Sequence, residues 1–238
     1  MLKCSVCGGT EFRHRAILWE RLVSEWQLAS HEESYVNRQQ GTACTACGAN
    51  LRSIALANAI RTAVGTKMIL TDFVRTSEAA RLALLEINEA GDLSPVLRQL
   101  PSHVLAAYPA VDMRAMPYPD GVFDLVVHSD TLEHIANPIR ALEECRRILR
   151  PGGALCFTVP TIVGRLSRNR DGMPKSYHGS PDNGSDDYVV QTEFGGDMWT
   201  YVLRAGFTAV SINAVEYPAG LALSARKADP DEHPTDSA

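Results

Sequence analysis

Nothing in this 238-residue sequence approaches the run of roughly 18 or more apolar residues that a membrane-spanning helix needs, so no membrane segment is expected. Positive charge is not in excess either. With 23 Lys and Arg against 28 Asp and Glu, the formal charge is −5. That balance offers no electrostatic case for nucleic acid or an anionic membrane as partner. No leader is expected, since Met1-Leu2-Lys3 runs directly into Cys4, and the expected location is the cytoplasm. In that reducing compartment the six cysteines are expected to hold metal or lie buried as thiols, not to form disulfides. The composition, 45% apolar and 21% charged, is that of a globular protein. Its length suffices for one large α/β domain with a small appendage.

Four of the cysteines form two C-x-x-C-G knuckles, Cys4-Ser-Val-Cys7-Gly8 and Cys44-Thr-Ala-Cys47-Gly48. A tight turn with glycine after the second cysteine points two thiolates at one ion, and two such turns complete a structural Cys4 zinc site with no open position. The 36 residues between Cys7 and Cys44 are about twice the usual ribbon spacing. They carry a helical stripe (Ile17, Leu18, Leu22, Val23, Trp26), then Ser30-His-Glu-Glu33 as a capping box for a second short helix. The expectation is a zinc ribbon bearing a helical hairpin, with His14 and His31 on its surface. Asn50–Val64, alanine-rich and closed by Gly65, predicts a helix; Lys67–Val74 is a possible strand.

The most informative stretch is Val111–Pro160. Phe123–Ser129 is an apolar run of strand length ending in the turn-like His128-Ser129-Asp130. Asn137 then Pro138 start a helix whose buried face is Leu142, Cys145 and Leu149. Pro151-Gly152-Gly153 leads to a second buried strand, Ala154–Val159. Strand, helix and strand of this kind make a parallel βαβ unit covered on both faces.

Asp112, then P-Y-P-D-G-x-F-D-L-V, L-E-H and L-R-P-G-G, in that order and spacing, resembles the middle of a class I S-adenosylmethionine (SAM)-dependent methyltransferase of the small-molecule, type 11-like kind. The resemblance covers roughly residues 83–227 and implies a doubly wound, Rossmann-like α/β sheet. Leu82–Ile87 becomes its first strand, His103–Tyr108 its second, and Thr208–Glu216 with Leu221–Arg226 its closing hairpin. The expected organisation is a zinc-ribbon-like module over 1–50, a methyltransferase domain over 51–227 and a disordered tail over 228–238.

The resemblance also implies a SAM site. Glu86, Asn88 and Gly91 occupy the turn that in the family is acidic-x-Gly-x-Gly, with Asn88 and Ala90 standing at two glycine positions. Asn tolerates a left-handed backbone, so the turn is expected to form. Asp112 is placed to accept from the adenine amino group, with Met113 beside the ring. His128, Ser129 and Asp130 are placed at the methionine part. The acidic residue that often holds the ribose is missing from Ala106-Ala107-Tyr108-Pro109. Polar, glycine-rich 161–196 is expected to be an acceptor lid. His178 within it and His134 are the candidate general bases. Transfer of a methyl group to an oxygen of a small molecule or glycan is the expected reaction. Methylation of ribosomal RNA and a non-catalytic scaffold are the alternatives.

Overall fold

In the computed structural model, which describes residues 2–177 and 186–230, the chain begins with the two knuckles. Gly8 and Gly48 both adopt φ of +82°, the left-handed backbone that lets each turn close on its cysteine pair. Strands β1 (Phe12–His14) and β2 (Thr42–Cys44) pair antiparallel and bring the knuckles together. Between them lie α1 (Glu20–Glu25) and α2 (Ser30–Gly41). The cap of α2 is one residue earlier than the sequence pattern predicts: Ala29 donates its backbone N–H to Glu32 Oε2 (2.9 Å), and Ser30 is already helical. The helix also runs past Val36 to Gly41.

Next comes α3 (Leu51–Ala63), with Asn50 as N-cap accepting from the Ser53 N–H (2.9 Å). Leu51, Ile54, Leu56 and Ile60 are almost fully buried, because the helix lies between the knuckles on one side and the main sheet on the other. Lys67–Val74 is not a strand. It contains the short α4 (Leu70–Phe73), whose leading amides are taken by the first knuckle: Leu70 N–H donates to Ser5 O and Thr71 N–H to Val6 O. A short apolar run does not tell helix from strand, and tertiary acceptors settled it here.

The remaining elements are β3 (Ala83–Ile87), α5 (Ser94–Leu97), β4 (Ser102–Ala106), β5 (Phe123–Ser129), α6 (Pro138–Ile148), β6 (Leu149–Thr158), β7 (Thr161–Ile162), β8 (Arg168–Asn169), β9 (Thr192–Gly195), α7 (Trp199–Arg204), β10 (Ser211–Val215) and β11 (Gly220–Arg226). Six strands form the main sheet in the order β10-β11-β6-β5-β3-β4, with β11 antiparallel to both its neighbours and the others parallel. Because side chains alternate across a strand, Leu125, Val127 and Cys156 face the core shared with α3, whereas Val126, Leu155 and Phe157 face the core under α6 and α7. The order reverses between β3 and β5, so ligands belong at the carboxyl ends of these strands.

The described residues of 161–196 hold more regular structure than their composition predicts. Strands β7, β9 and β8 form a small sheet of their own, and all four residues of β9 are buried. No helix among the described residues is long and apolar enough to cross a membrane.

Candidate active site

The two knuckles converge as expected. The Sγ atoms of Cys4, Cys7, Cys44 and Cys47 all lie within 4.8 Å of one another. The pairs Cys4–Cys47 and Cys7–Cys44 are each 3.7 Å apart. A tetrahedral ion with zinc–sulfur bonds of ~2.3 Å holds neighbouring sulfurs ~3.8 Å apart, a spacing that these two pairs match. A Cβ on Gly9 would come 2.8 Å from Cys44 Sγ, which keeps that approach clear only for glycine. Cys145 and Cys156 are not part of this cluster and are fully buried on α6 and β6.

A second site opens at the carboxyl ends of β3, β4 and β5, where a cavity of about 640 Å³ is lined by the turn after each strand. In the turn after β3, Asn88 and Gly91 take φ of +52° and +53°. The Asn88 side chain also does work that glycine could not. Its Oδ1 accepts from the Tyr108 N–H (3.0 Å) beyond β4, and its Nδ2 donates to Thr131 Oγ1 (3.4 Å) beyond β5. Glu86 lies wholly inside: Oε1 accepts from the Ala90 N–H (2.7 Å) and Oε2 pairs with His103 Nε2 (2.6 Å). It shapes the turn from beneath.

Asn88, Gly91, Asp112, Met113, Ser129 and Asp130 all line this cavity. Asp112 is gripped by Arg114 through bonds of 2.7, 3.0 and 3.2 Å, which hold its carboxyl below the usual range. Ser129 Oγ bonds Thr158 Oγ1 (2.8 Å), joining the ends of β5 and β6. His128 does not reach the cavity. Strand alternation turns it into the core, where it stacks on Phe157 at 4.8 Å, and burial pushes its pKa down to about 3. His134 lines the cavity, with Nδ1 3.2 Å from Val189 O and burial holding its pKa below the ordinary value. His178 lies outside the described residues.

The pattern in the sequence did not reveal Arg52. It projects from the first turn of α3 into the same cavity, 7% exposed, and is ion-paired to Asp130. Burial raises the Asp130 pKa and Arg52 opposes that rise. Asp130 Oδ1 is buried with no hydrogen-bond partner among the described residues. A guanidinium and an orphan carboxylate oxygen, side by side, suit the carboxylate and ammonium of an amino-acid group. The one sequence signal that bore on Arg52 was the predicted helix at 50–64; its partner is 78 residues away.

Residues 47–157 match the family described as "Methyltransferase domain". A probable S-adenosylmethionine-dependent methyltransferase of Mycolicibacterium smegmatis is 35% identical over 82 residues, 32% of each chain. The ubiquinone/menaquinone biosynthesis C-methyltransferase UbiE of Hydrogenovibrio crunogenus is 35% identical over 83 residues, 34% of this chain and 33% of its own. These alignments span about a third of the length of the curated relatives. Among solved structures, the CurJ carbon methyltransferase overlaps 88% of this chain and 70% of its own, at 14% identity and a TM-score of 0.45. The matched segment, a little under half of the chain, runs from the second knuckle through the cavity-forming turns to β6, and over it this chain is similar to SAM-dependent methyltransferases.

Proposed function

We propose that the chain binds SAM in the cavity at the ends of β3–β5 and transfers its methyl group to an oxygen of a small molecule or glycan. The observation that carries this reading is the Arg52–Asp130 pair. The two groups are matched to the methionine carboxylate and ammonium, and they adjoin a turn whose left-handed Asn88 and Gly91 leave room for close backbone approach. Asp112 and Met113 then fall to the adenine end. SAM supplies an electrophilic methyl on a sulfonium, so the protein's task is to align the acceptor and exclude water.

An oxygen acceptor also needs a base, and His134 fits that role. With its pKa held low it is neutral near pH 7. A proton on Nδ1 satisfies the Val189 carbonyl and leaves the Nε2 lone pair, 3.6 Å from the Glu133 carboxyl, as the accepting site. His178 is the second candidate base. The relatives' names include carbon and nitrogen methyltransferases, so the choice of oxygen rests on His134 and not on them.

We further propose that Cys4, Cys7, Cys44 and Cys47 hold a structural zinc. The experiment is turnover of hydroxyl-bearing acceptors, read as release of demethylated SAM. His134→Ala should lower kcat by ~10²–10⁴ while SAM affinity stays within about threefold. Undiminished turnover in that variant would remove His134 as base.

A further inference from the structure

The segment between the knuckles carries two of the chain's three tryptophans, Trp19 and Trp26. It builds a small core of its own: Leu22, Trp26 and Tyr35 close on Ile162 of β7 and on Val190. That core does not consume all the apolar surface. Between α1, α2 and the chain leaving β6 remains a second cavity of about 430 Å³, walled by Leu18, Trp19, Leu22, Trp26 and Ile162. Its size is that of a small-molecule site.

The cavity is held open by polar clamps. Arg165 donates to the carbonyls of Trp26 and Gln27 (both 2.7 Å) and pairs with buried Glu32. Gln39 Nε2 donates to Thr161 O (3.0 Å), and Trp26 Nε1 donates to Ser176 Oγ (2.8 Å). It is separate from the SAM cavity: Val190 is buried in the tryptophan core, while the adjacent Gln191 lines the other cavity.

Carboxylates outnumber arginines (Arg52 and Arg114) in the lining of the SAM cavity, and the tryptophan cavity is the reverse. The SAM cavity is lined by Glu89, Asp112, Asp130, Asp186 and Asp187. Among the described residues the tryptophan cavity has no acidic lining residue and one cation, Arg15, exposed at its rim. Arg13, two residues away on β1, is also exposed, and neither arginine has an ion-pair partner among the described residues. In a chain of net charge −5, an arginine without an ion-pair partner among the described residues, at the rim of an indole-walled hollow, is a local recognition feature.

We propose that this cavity is a binding site for an aromatic organic anion, with the apolar body against Trp19 and Trp26 and the carboxylate, sulfonate or phosphate at Arg15. The test uses 8-anilino-1-naphthalenesulfonate and its uncharged relative N-phenyl-1-naphthylamine, titrated into the full chain with tryptophan excitation. One saturable site with energy transfer is expected for both probes. Arg15→Ala should weaken the sulfonate up to about fivefold and leave the neutral probe unchanged, as a partly exposed charge contact implies. Ala16 lines the cavity from an exposed position, and Ala16→Trp should fill it and abolish both, with circular dichroism unchanged. Absence of a saturable site, or binding indifferent to Ala16→Trp, would overturn the site. Equal weakening of both probes by Arg15→Ala would overturn its preference for anions.

Discussion

Arg52, five residues beyond the last knuckle cysteine, is ion-paired to Asp130 at the end of β5. This buried pair joins the cysteine knuckles to the cavity at the ends of β3–β5 through a single helix. Asp92, next to Gly91, strengthens the junction, accepting at 3.4 Å from the Asn50 N–H and at 3.5 Å from Ser53 Oγ. The knuckle, the start of α3 and the turn after β3 are therefore one connected unit.

Removing Arg52 leaves Asp130 buried without its cation. Arg52→Ala should cost about 3 kcal/mol of stability, the scale for breaking a buried ion pair, and weaken SAM binding at least ~10-fold. Chemical unfolding and calorimetry read the two effects separately. Arg52→Lys should recover part of the stability but less of the affinity, since an ammonium lacks the guanidinium fork. SAM affinity unchanged in Arg52→Ala would contradict its assignment to the methionine carboxylate.

Zinc removal should act on the cavity at the ends of β3–β5 through the same unit. Chelation under reducing conditions is expected to release one zinc per chain and weaken SAM binding ~10-fold or more, because Asn50 and Arg52 lose their anchor. Metal stoichiometry and SAM calorimetry on the same sample check this. Metal loss with SAM affinity intact would show the two sites to be independent.

His128 gives a pH signature. Its folded pKa of about 3 is depressed relative to roughly 6.5 in an unfolded chain. Between those values the unfolded chain binds one more proton than the folded one. Stability is thus unaffected by this residue above about pH 6.5 and is lost as pH falls, by about 1.4 kcal/mol per unit. His128→Phe keeps a ring against Phe157 and cannot titrate. Urea unfolding at pH 7 and pH 5 should show the wild-type chain losing ~2 kcal/mol more than the variant over that interval. Equal losses would refute the buried neutral histidine.

Arg165 fastens the segment between the knuckles to the rest of the chain. Arg165→Ala strands Glu32, whose carboxyl Arg165 otherwise holds below its usual range. The local opening free energy of residues 20–41 should fall by about 2 kcal/mol, the scale of a lost charge-assisted bond. Amide hydrogen exchange resolves this: faster exchange confined to α1 and α2 is expected, and unchanged protection there would rule the clamp out.

What was legible in the sequence was local. The cysteine spacing placed four sulfurs at one point, and Asn137-Pro138 marked the start of α6, where Asn137 Oδ1 accepts from the Arg140 N–H (3.1 Å). Asparagine's tolerance of positive φ let the turn after β3 form with Asn88 in place of glycine. What escaped was set by distant partners. Arg52 has meaning only once α3 lies across the end of β5. Leu70–Phe73 is helical because knuckle carbonyls receive its amides. Strands as short as β7 and β8, two residues each, leave no period to read, so 161–196 looked irregular although it contains a small sheet. His128 lies one step out of phase with the cavity-lining residues, a distinction that the motif alone does not make.

The central claim is that the cavity spanning Asp112 and Arg52 is a SAM site. Calorimetric titration of zinc-loaded protein with SAM and its demethylated product tests it most directly. The account predicts one site per chain with micromolar affinity, weakened at least ~10-fold by Asp112→Ala, the loss of one good hydrogen-bonding partner at a charged group. No heat of binding at millimolar SAM, in protein that is folded and holds its metal, would contradict it.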